Sequence, residues 1–361
     1  MERKIGIVAF AIVIFAAKGV FGFGILEENV DSATSATNGL KGSMRHSTET
    51  VLSGLHNSRI LKARSQVSPE EGKGSKDCPE EPKQWELFFV SDVGFFDQGR
   101  LDVVNRGFQT QTNAQSAGFE YLIDDCNSIG MAYSILDSET HFEEGLGNID
   151  TDGHLGSFYI THSKKGHYFD VLYMFGDFEI DTVRNTLAGG DAFGGTGADS
   201  HTLSLNMGKN FEFCGLQTGP IFAYDYTEGK IDGYTEMDAG SENITFPTSG
   251  YRSSITSLGW HASKSQCVRL GCLTIQGSAS WDHEFEPDGA NVQGTLADGG
   301  FGGNESFSRP SAAPGTDWLN LGTGVSLKTN GGVEFRVDYQ AHLLRDDVSA
   351  HYLGAKVSAK F

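Results

Sequence analysis

Hydrophobic and polar residues alternate with a period of two along most of the chain from Trp85 onward. This is the period of a β-strand, whose successive side chains point to opposite faces of the sheet. In "VEFRVDYQAHL", for example, Glu334, Arg336 and Asp338 alternate with apolar neighbours. The apolar faces of three such segments consist of Trp85, Leu87, Phe89, Val93 and Phe95; of Phe169, Val171, Tyr173 and Phe175; and of Val333, Phe335, Val337 and Tyr339. The pattern predicts an all-β protein.

The alternating segments are long for a soluble sheet. A strand that crosses an apolar band ~25 Å tall at a tilt of ~40° needs about ten residues, whereas strands of soluble sheets have about 5–6. Alternation alone also fits a soluble sandwich, so strand length decides for a membrane barrel. Twelve strands are predicted to begin near Trp85, Thr112, Ser128, Gly153, His167, His201, Leu216, Tyr251, Leu270, Trp318, Gly332 and Ala350.

The predicted connections alternate in length, as they do when one rim of a barrel faces the periplasm and the other faces the outside. Short turns are expected at 124–128, 163–166, 209–215, 264–269 and 328–332. Long flexible loops, rich in Gly, Asp and Glu, are expected at 137–152, 181–200, 229–250 and 286–317. The fold class predicted is therefore a 12-stranded antiparallel transmembrane β-barrel, formed by residues 85–361, with a short, largely disordered N-terminal segment.

The first 22 residues have the features of a secretory signal peptide. Arg3 and Lys4 precede an apolar run from Ile5 to Ala17, which is too short for a transmembrane helix of ~20 residues. Cleavage is expected after Gly22. Residues 23–84 are rich in small and charged residues and read as a low-complexity linker or short passenger. A helix is predicted within them over 48–62.

Composition narrows the function classes. The formal net charge of −20 disfavours binding to nucleic acid, and 47 Gly with 25 Phe and 8 Pro favours β structure. The five cysteines lack metal-ligand spacing, and a disulfide is predicted between Cys267 and Cys272.

From about Trp85 to Phe361 the chain resembles the autotransporter β-domain, the twelve-stranded outer-membrane translocator of type V secretion. The resemblance lies in the order and spacing of "GHYFDVLYMFGDFEIDTVR" (166–184), "GPIFAYDYTEGKIDGYTE" (219–236), "YRSSITSLGWHAS" (251–263), "ASWDHEF" (279–285) and the closing hairpin "WLNLGTGVSLKTNGGVEFRVDYQAHL" with "LGAKVSAKF". It implies a monomeric barrel anchored in outer-membrane lipid that exports or displays its own N-terminal segment.

The resemblance also implies partners. These are the general secretion machinery and the machinery that inserts barrels into the outer membrane. The final strand would be the signal that the insertion machinery reads, through its outward residues Leu353, Val357, Ala359 and Phe361. Two departures from the family stand out: a large passenger is lacking before the barrel, and the place of the pore helix is held by "SPEEGKGSKDCPEEPK". The helix at 48–62 is an alternative plug for the lumen.

Candidate chemistry is sparse. "GGTGADSHT" (194–202) matches a calcium-binding repeat once, but a single copy cannot stack, and the segment is interpreted as a flexible acidic loop. His141, His154, His162 and His167 fall in one hairpin region without converging on a catalytic arrangement. Catalytic residues, cofactors and metal sites are therefore not predicted, and the protein is not expected to be an enzyme. Trp260, Trp281 and Trp318 suit interfacial aromatic girdles.

Two other functions remain open at this stage. A porin-like outer-membrane pore would leave residues 23–84 as a periplasmic tail. A surface adhesion or structural barrel would act through its long acidic loops.

Overall fold

The computed structural model describes residues 84–99, 107–186, 190–286, 292–296, 306–309, 315–346 and 348–361. The predicted signal peptide, the 48–62 helix and, apart from Gln84, the 23–84 segment lie outside the described residues. Among the described residues, no helix is long and apolar enough to cross a membrane.

Twelve long antiparallel strands form a closed barrel, so the predicted fold class is confirmed. These strands are β1 (Gln84–Gln98), β2 (Phe108–Leu122), β3 (Asn127–Phe142), β4 (Gly147–Lys164), β5 (His167–Asn185), β6 (Asp191–Lys209), β8 (Leu216–Ile231), β11 (Ser249–Val268), β12 (Gly271–Glu284), β15 (Asp317–Thr329), β16 (Val333–Arg345) and β17 (Val348–Lys360). Neighbours along the chain are neighbours in the sheet, and β17 pairs with β1 to close it.

Five short strands lie outside the barrel wall. The strand β7 (Phe211–Phe213) extends the β6–β8 turn, and a separate four-stranded sheet is built from β9 (Tyr234–Thr235), β10 (Ile244–Phe246), β13 (Val292–Leu296) and β14 (Ser306–Arg309) in the order β14-β13-β10-β9. Two single 3-10 turns, Glu143–Gly145 and Gly240–Glu242, complete the secondary structure of the described residues.

The barrel is closed by the pairing of its first and last strands. The ladder runs from Glu86 opposite Lys360 to Gln98 opposite Val348. Trp85 and Phe361 extend it, because each donates its main-chain N–H to the carbonyl oxygen of the other at 3.0 Å. In hydrocarbon an unpaired main-chain group costs several kcal/mol, so the pairing of the terminal residue is part of the membrane-spanning structure.

The register defines how strongly the strands tilt. A row of paired residues that starts at Arg252 in β11 passes through Glu228, His201, Phe175, Gly156, Tyr133, Ala117, Phe89, Val357, Phe335, Leu327 and Leu273 and returns to β11 at Gln266. The row is therefore displaced by 266 − 252 = 14 residues in one circuit. With ~3.3 Å per residue and ~4.8 Å between strands, this shear corresponds to a tilt of ~39°.

Alternating exposure separates the two faces of the barrel wall. The apolar faces predicted for β1, β5 and β16 point outward: Leu87, Phe175 and Phe335 are 52%, 44% and 52% exposed. The residues next to them in the sequence, Glu86, Met174 and Arg336, point to the opposite face and are buried in the interior. This apolar outside and partly polar inside is the inverse of a soluble sandwich.

Two of the predicted long loops are instead strand. The chain remains paired through 137–142 and 147–152, and again through 181–185 and 191–200, which leaves short connections at 143–146 and 186–190. The "GGTGADSHT" segment likewise lies in β6 and is not a flexible loop. The physical reason is that above the membrane the outward face meets water, so Asp, Glu and Gly are compatible with a strand that carries no apolar signal there.

A substitution at Gly219 tests how closely neighbouring strands of the barrel wall are packed. A methyl group at this position would collide with the main-chain oxygen of Lys209, whereas one at Gly277 would lie 3.7 Å from the nearest atom, the oxygen of Gly322. We expect Gly219→Ala to destabilise the refolded barrel by ~1–3 kcal/mol, measured as an earlier loss of the heat-modifiable band on a gel. Gly277→Ala is the matched control, and equal stability of the two variants would contradict the prediction.

Candidate functional site: the lumen and its extracellular cap

The periplasmic half of the interior is charged. Inward side chains of β16, β17 and β1 form a cluster in which Arg336 Nη2 lies 2.5 Å from Asp338 Oδ1. The Nζ atoms of Lys356 and Lys360 lie 3.8 Å and 3.4 Å from the carboxylate of Glu86. Because these residues belong to neighbouring strands at the closure of the barrel, their attraction supports the β1–β17 pairing from inside.

The extracellular half of the interior contains an apolar cluster beside buried polar side chains such as Thr110, Thr112 and Thr140. Inward side chains near the extracellular strand ends pack together, and the rings of Phe96 and Phe142 lie 5.5 Å and 6.2 Å from the ring of Phe108 between them. Ile149 and Phe178 belong to the same cluster and are at most 1% exposed. These strand ends stand above the membrane, where apolar residues gain more by facing each other than by facing water.

A cap is formed on the extracellular side by the sheet β9–β10–β13–β14. Its inner residues Ile244, Phe246 and Leu296 are buried, and the Tyr234 and Phe246 rings are 4.9 Å apart. A pair of main-chain hydrogen bonds between Phe193 and Met237 joins the cap to β6. The two longest connections, 232–248 and 285–316, thus share one small sheet instead of lying free.

A buried ion pair anchors the cap to β5. Arg184 donates through Nε and Nη2 to the two carboxylate oxygens of Glu236 at 2.9 Å and 2.6 Å, and through Nη2 to the Glu242 carbonyl at 2.6 Å. The Ile244 amide donates to Glu236 Oε2 at 3.0 Å. Both charged side chains are at most 2% exposed. Burial raises the pKa of Glu236, against the opposite effect of the hydrogen bonds and charge of Arg184.

A second arginine, Arg345, joins the extracellular ends of β16 and β12. Arg345 Nη2 lies 2.8 Å from Glu284 Oε2, and its Nε donates to the Gly315 carbonyl at 2.7 Å. Its guanidinium stacks 4.2 Å above the Trp318 ring. Trp318 is 2% exposed and faces the interior, so its predicted place in an interfacial girdle is wrong, whereas Trp260 and Trp281 point outward with 53% and 47% exposure.

The predicted insertion-signal residues share the outward face of β17. Leu353, Val357 and Phe361 are 47%, 37% and 68% exposed, and Ala359 is partly exposed beside them. The four cysteines of the described residues lie near the periplasmic turns: Cys267 and Cys272 are paired across the β11–β12 turn and joined by a disulfide. Cys126 is also disulfide-bonded, and Cys214 is the free cysteine of the described region.

The histidines of the 141–167 region do not form a catalytic group. His141, His154, His162 and His167 are spread along the outer wall of β3, β4 and β5, and all four are exposed. Within the described ranges, no group of His, Cys, Asp and Glu side chains is arranged to hold a metal ion. The cap and its two arginine anchors were missed by the sequence analysis.

The closed sheet and its outward apolar band define an integral membrane β-barrel. The chain belongs to the autotransporter β-domain family, whose model, "Autotransporter beta-domain", matches residues 94–340. It is therefore an outer-membrane translocator barrel. A comparison with curated protein sequences finds no match.

Solved structures show the same fold at low sequence identity. The translocator domain of the autotransporter NalP from Neisseria meningitidis is 13% identical with a TM-score of 0.60, covering 88% of this chain and 98% of that one. The β-domain of the Bordetella autotransporter BrkA is 12% identical with a TM-score of 0.51, covering 76% and 98%.

If the Arg184–Glu236 ion pair holds the cap against β5, replacing Arg184 should destabilise the cap. Arg184→Met leaves a buried carboxylate without its counter-ion, which costs ~3–5 kcal/mol. We expect hydrogen exchange at the Ile244 amide to accelerate at least about tenfold, an effect of ~1.4 kcal/mol or more. The control is Lys230→Ala, which removes an exposed ion pair with Asp232 and should change the rate little. Unchanged exchange in Arg184→Met would contradict the anchoring role.

Proposed function

We propose that the barrel carries the chain's own N-terminal segment, residues 23–83 after signal removal, across the outer membrane and displays it at the cell surface. The observation that carries this proposal is the position of Gln84, the first residue of β1, at the periplasmic rim beside the C-terminal end of β17. The segment therefore joins the barrel at the periplasmic entrance to the lumen.

The lining of the lumen supports this function. A polypeptide in transit presents charged and polar side chains and main-chain groups, and the cluster of Glu86, Arg336, Asp338, Lys356 and Lys360 at the entrance offers charges of both signs. The low-complexity composition of residues 23–83 suits passage in an extended state, since such a segment has little core to unfold.

The same structure argues against an open diffusion pore. The apolar cluster around Phe108 and the anchored cap both lie at the extracellular end. We infer that the cap is displaced during export. A display function through the cap surface alone is the remaining alternative, and it would persist when residues 23–83 are deleted.

An epitope tag inserted after Asn38 tests export. We expect an impermeant antibody to label intact cells, because a translocated segment lies outside. A tag in the β4–β5 turn between Lys165 and Gly166 is the periplasmic control, and a tag after Asp238 in the cap is the extracellular control. Labelling of the Asn38 tag after permeabilisation alone would overturn the proposal and leave the barrel in place.

A substitution of Phe361 tests whether the last strand acts as a signal for the insertion machinery. Phe361→Ala keeps the main-chain bonds to Trp85 but removes the terminal ring. We expect the level in the outer membrane to fall about tenfold, the effect of losing ~1.4 kcal/mol of recognition by the insertion machinery. Refolding into vesicles should be nearly unchanged. Leu344→Ala, at a position 82% exposed in the irregular extracellular end of β16, is the control. An equal loss in both variants, or a loss that also occurs in vesicles, would contradict a signalling role.

A further inference from the structure

Four outward histidines lie beside aromatic rings on the outer wall. Three of them have an Nδ1 atom within hydrogen-bond distance of a tyrosine hydroxyl on the preceding strand: His154 with Tyr133 at 2.7 Å, His201 with Tyr173 at 2.8 Å, and His351 with Tyr339 at 2.6 Å. The rings of each pair are nearly parallel, with interplanar angles of 15°, 15° and 22°. In each pair the tyrosine is the seventh residue of its strand.

The fourth histidine has a related environment on β12. His283 Nδ1 lies 3.0 Å from Asp317 Oδ1, and the indole Nε1 of Trp281 donates to the same oxygen at 3.0 Å. The Trp281 and His283 rings are 5.7 Å apart. The four histidines therefore each combine an aromatic ring on the outer wall with a partner for Nδ1.

The register places these four side chains at one height. At a tilt of ~39°, moving by one residue along a strand changes the height along the barrel axis by ~2.6 Å. Moving by one strand along the row of paired residues, in the direction from β11 to β8, lowers the height by ~3.0 Å. Counted from the row described above, His154, His201, His283 and His351 lie within about 3 Å of a common level. Their aromatic partners lie roughly 5–9 Å below them, in the apolar band.

That level is the extracellular boundary of the apolar band. Below it the outer wall carries residues such as Phe158, Leu203 and Leu353, which are 50%, 39% and 47% exposed. At or above it come carboxylates: Asp177 is the register partner of His154, and Glu228 is that of His201. Ionised carboxylates remain in water, and Asp152 and Asp199 are the next outward residues above His154 and His201, so these two histidines lie at the boundary between the apolar band and water.

From this placement we propose that His154, His201 and His351 form a histidine girdle that binds phosphate groups of the lipid in the extracellular leaflet and fixes the height of the barrel. His283 is not part of the girdle, because its Nδ1–H donates to the Asp317 carboxylate, which leaves Nε2 of the neutral ring without a proton. A tyrosine hydroxyl that donates to Nδ1 leaves the imidazole proton on Nε2. The Nε2–H then donates to the acceptors found at this depth, the lipid phosphate oxygens. An amphipathic ring with a polar tip is suited to this layer.

The proposal rests on the outer-membrane barrel and is independent of export. The full chain is refolded in phosphatidylcholine vesicles and in vesicles of a digalactosyl lipid with the same acyl chains and no phosphate. The temperature at which the heat-modifiable band disappears is measured in each. We expect the wild-type midpoint to be about 3–6 °C higher in the phospholipid, and this difference to vanish in the His154→Gln, His201→Gln, His351→Gln variant.

The control is His141→Gln. His141 is exposed on the outer wall of β3, about 13 Å above the girdle, and this variant should keep the headgroup dependence. If the threefold variant does not refold, the single variants His154→Gln, His201→Gln and His351→Gln should each lose about a third of the difference. Equal wild-type midpoints in the two lipids, or full dependence in the histidine variants, would overturn the proposal whatever the fate of the N-terminal segment.

Discussion

The pairing of every main-chain polar group inside the hydrocarbon layer is the constraint on which the rest of this structure depends. An open sheet would leave one edge of β1 and one edge of β17 unpaired in lipid, at several kcal/mol for each group. Closure with twelve strands and a shear of 14 residues satisfies that requirement and sets the tilt. The tilt in turn decides which side chains share a height, and the closure brings Glu86 beside Lys356 and Lys360 in the lumen.

The strand boundaries predicted from the sequence were accurate where the strands contact lipid and inaccurate where the strands extend above the membrane. Nine of the twelve predicted starts lie within two residues of the observed ones, while those of β2, β4 and β6 came too late. All three of these strands begin on the extracellular side. There the outward positions are polar, as with Gln109, Asp150 and Asp199, and an alternation of apolar and polar residues is no longer visible.

The candidate site was less predictable, because its key contacts join distant parts of the chain. Arg184 and Glu236 are 52 residues apart, and nothing in the local pattern around either residue indicates a partner. Trp318 could have been placed correctly. Leu319, Leu321 and Val325 share the outward parity of β15, so Trp318 has the inward parity. The outward residues of β17, by contrast, followed directly from alternation.

The extended extracellular ends of the strands make the rim of the barrel oblique. Because β4, β5 and β6 contain 18, 19 and 19 residues while β15, β16 and β17 contain 13 each, the wall at β5 and β6 ends ~20 Å higher than the wall at β12 and β16. The two loops that build the cap leave from β8 and β12 and compensate for the low side. In the proposed export, displacement of the cap opens a side window, which would direct an emerging chain along the cell surface instead of away from it.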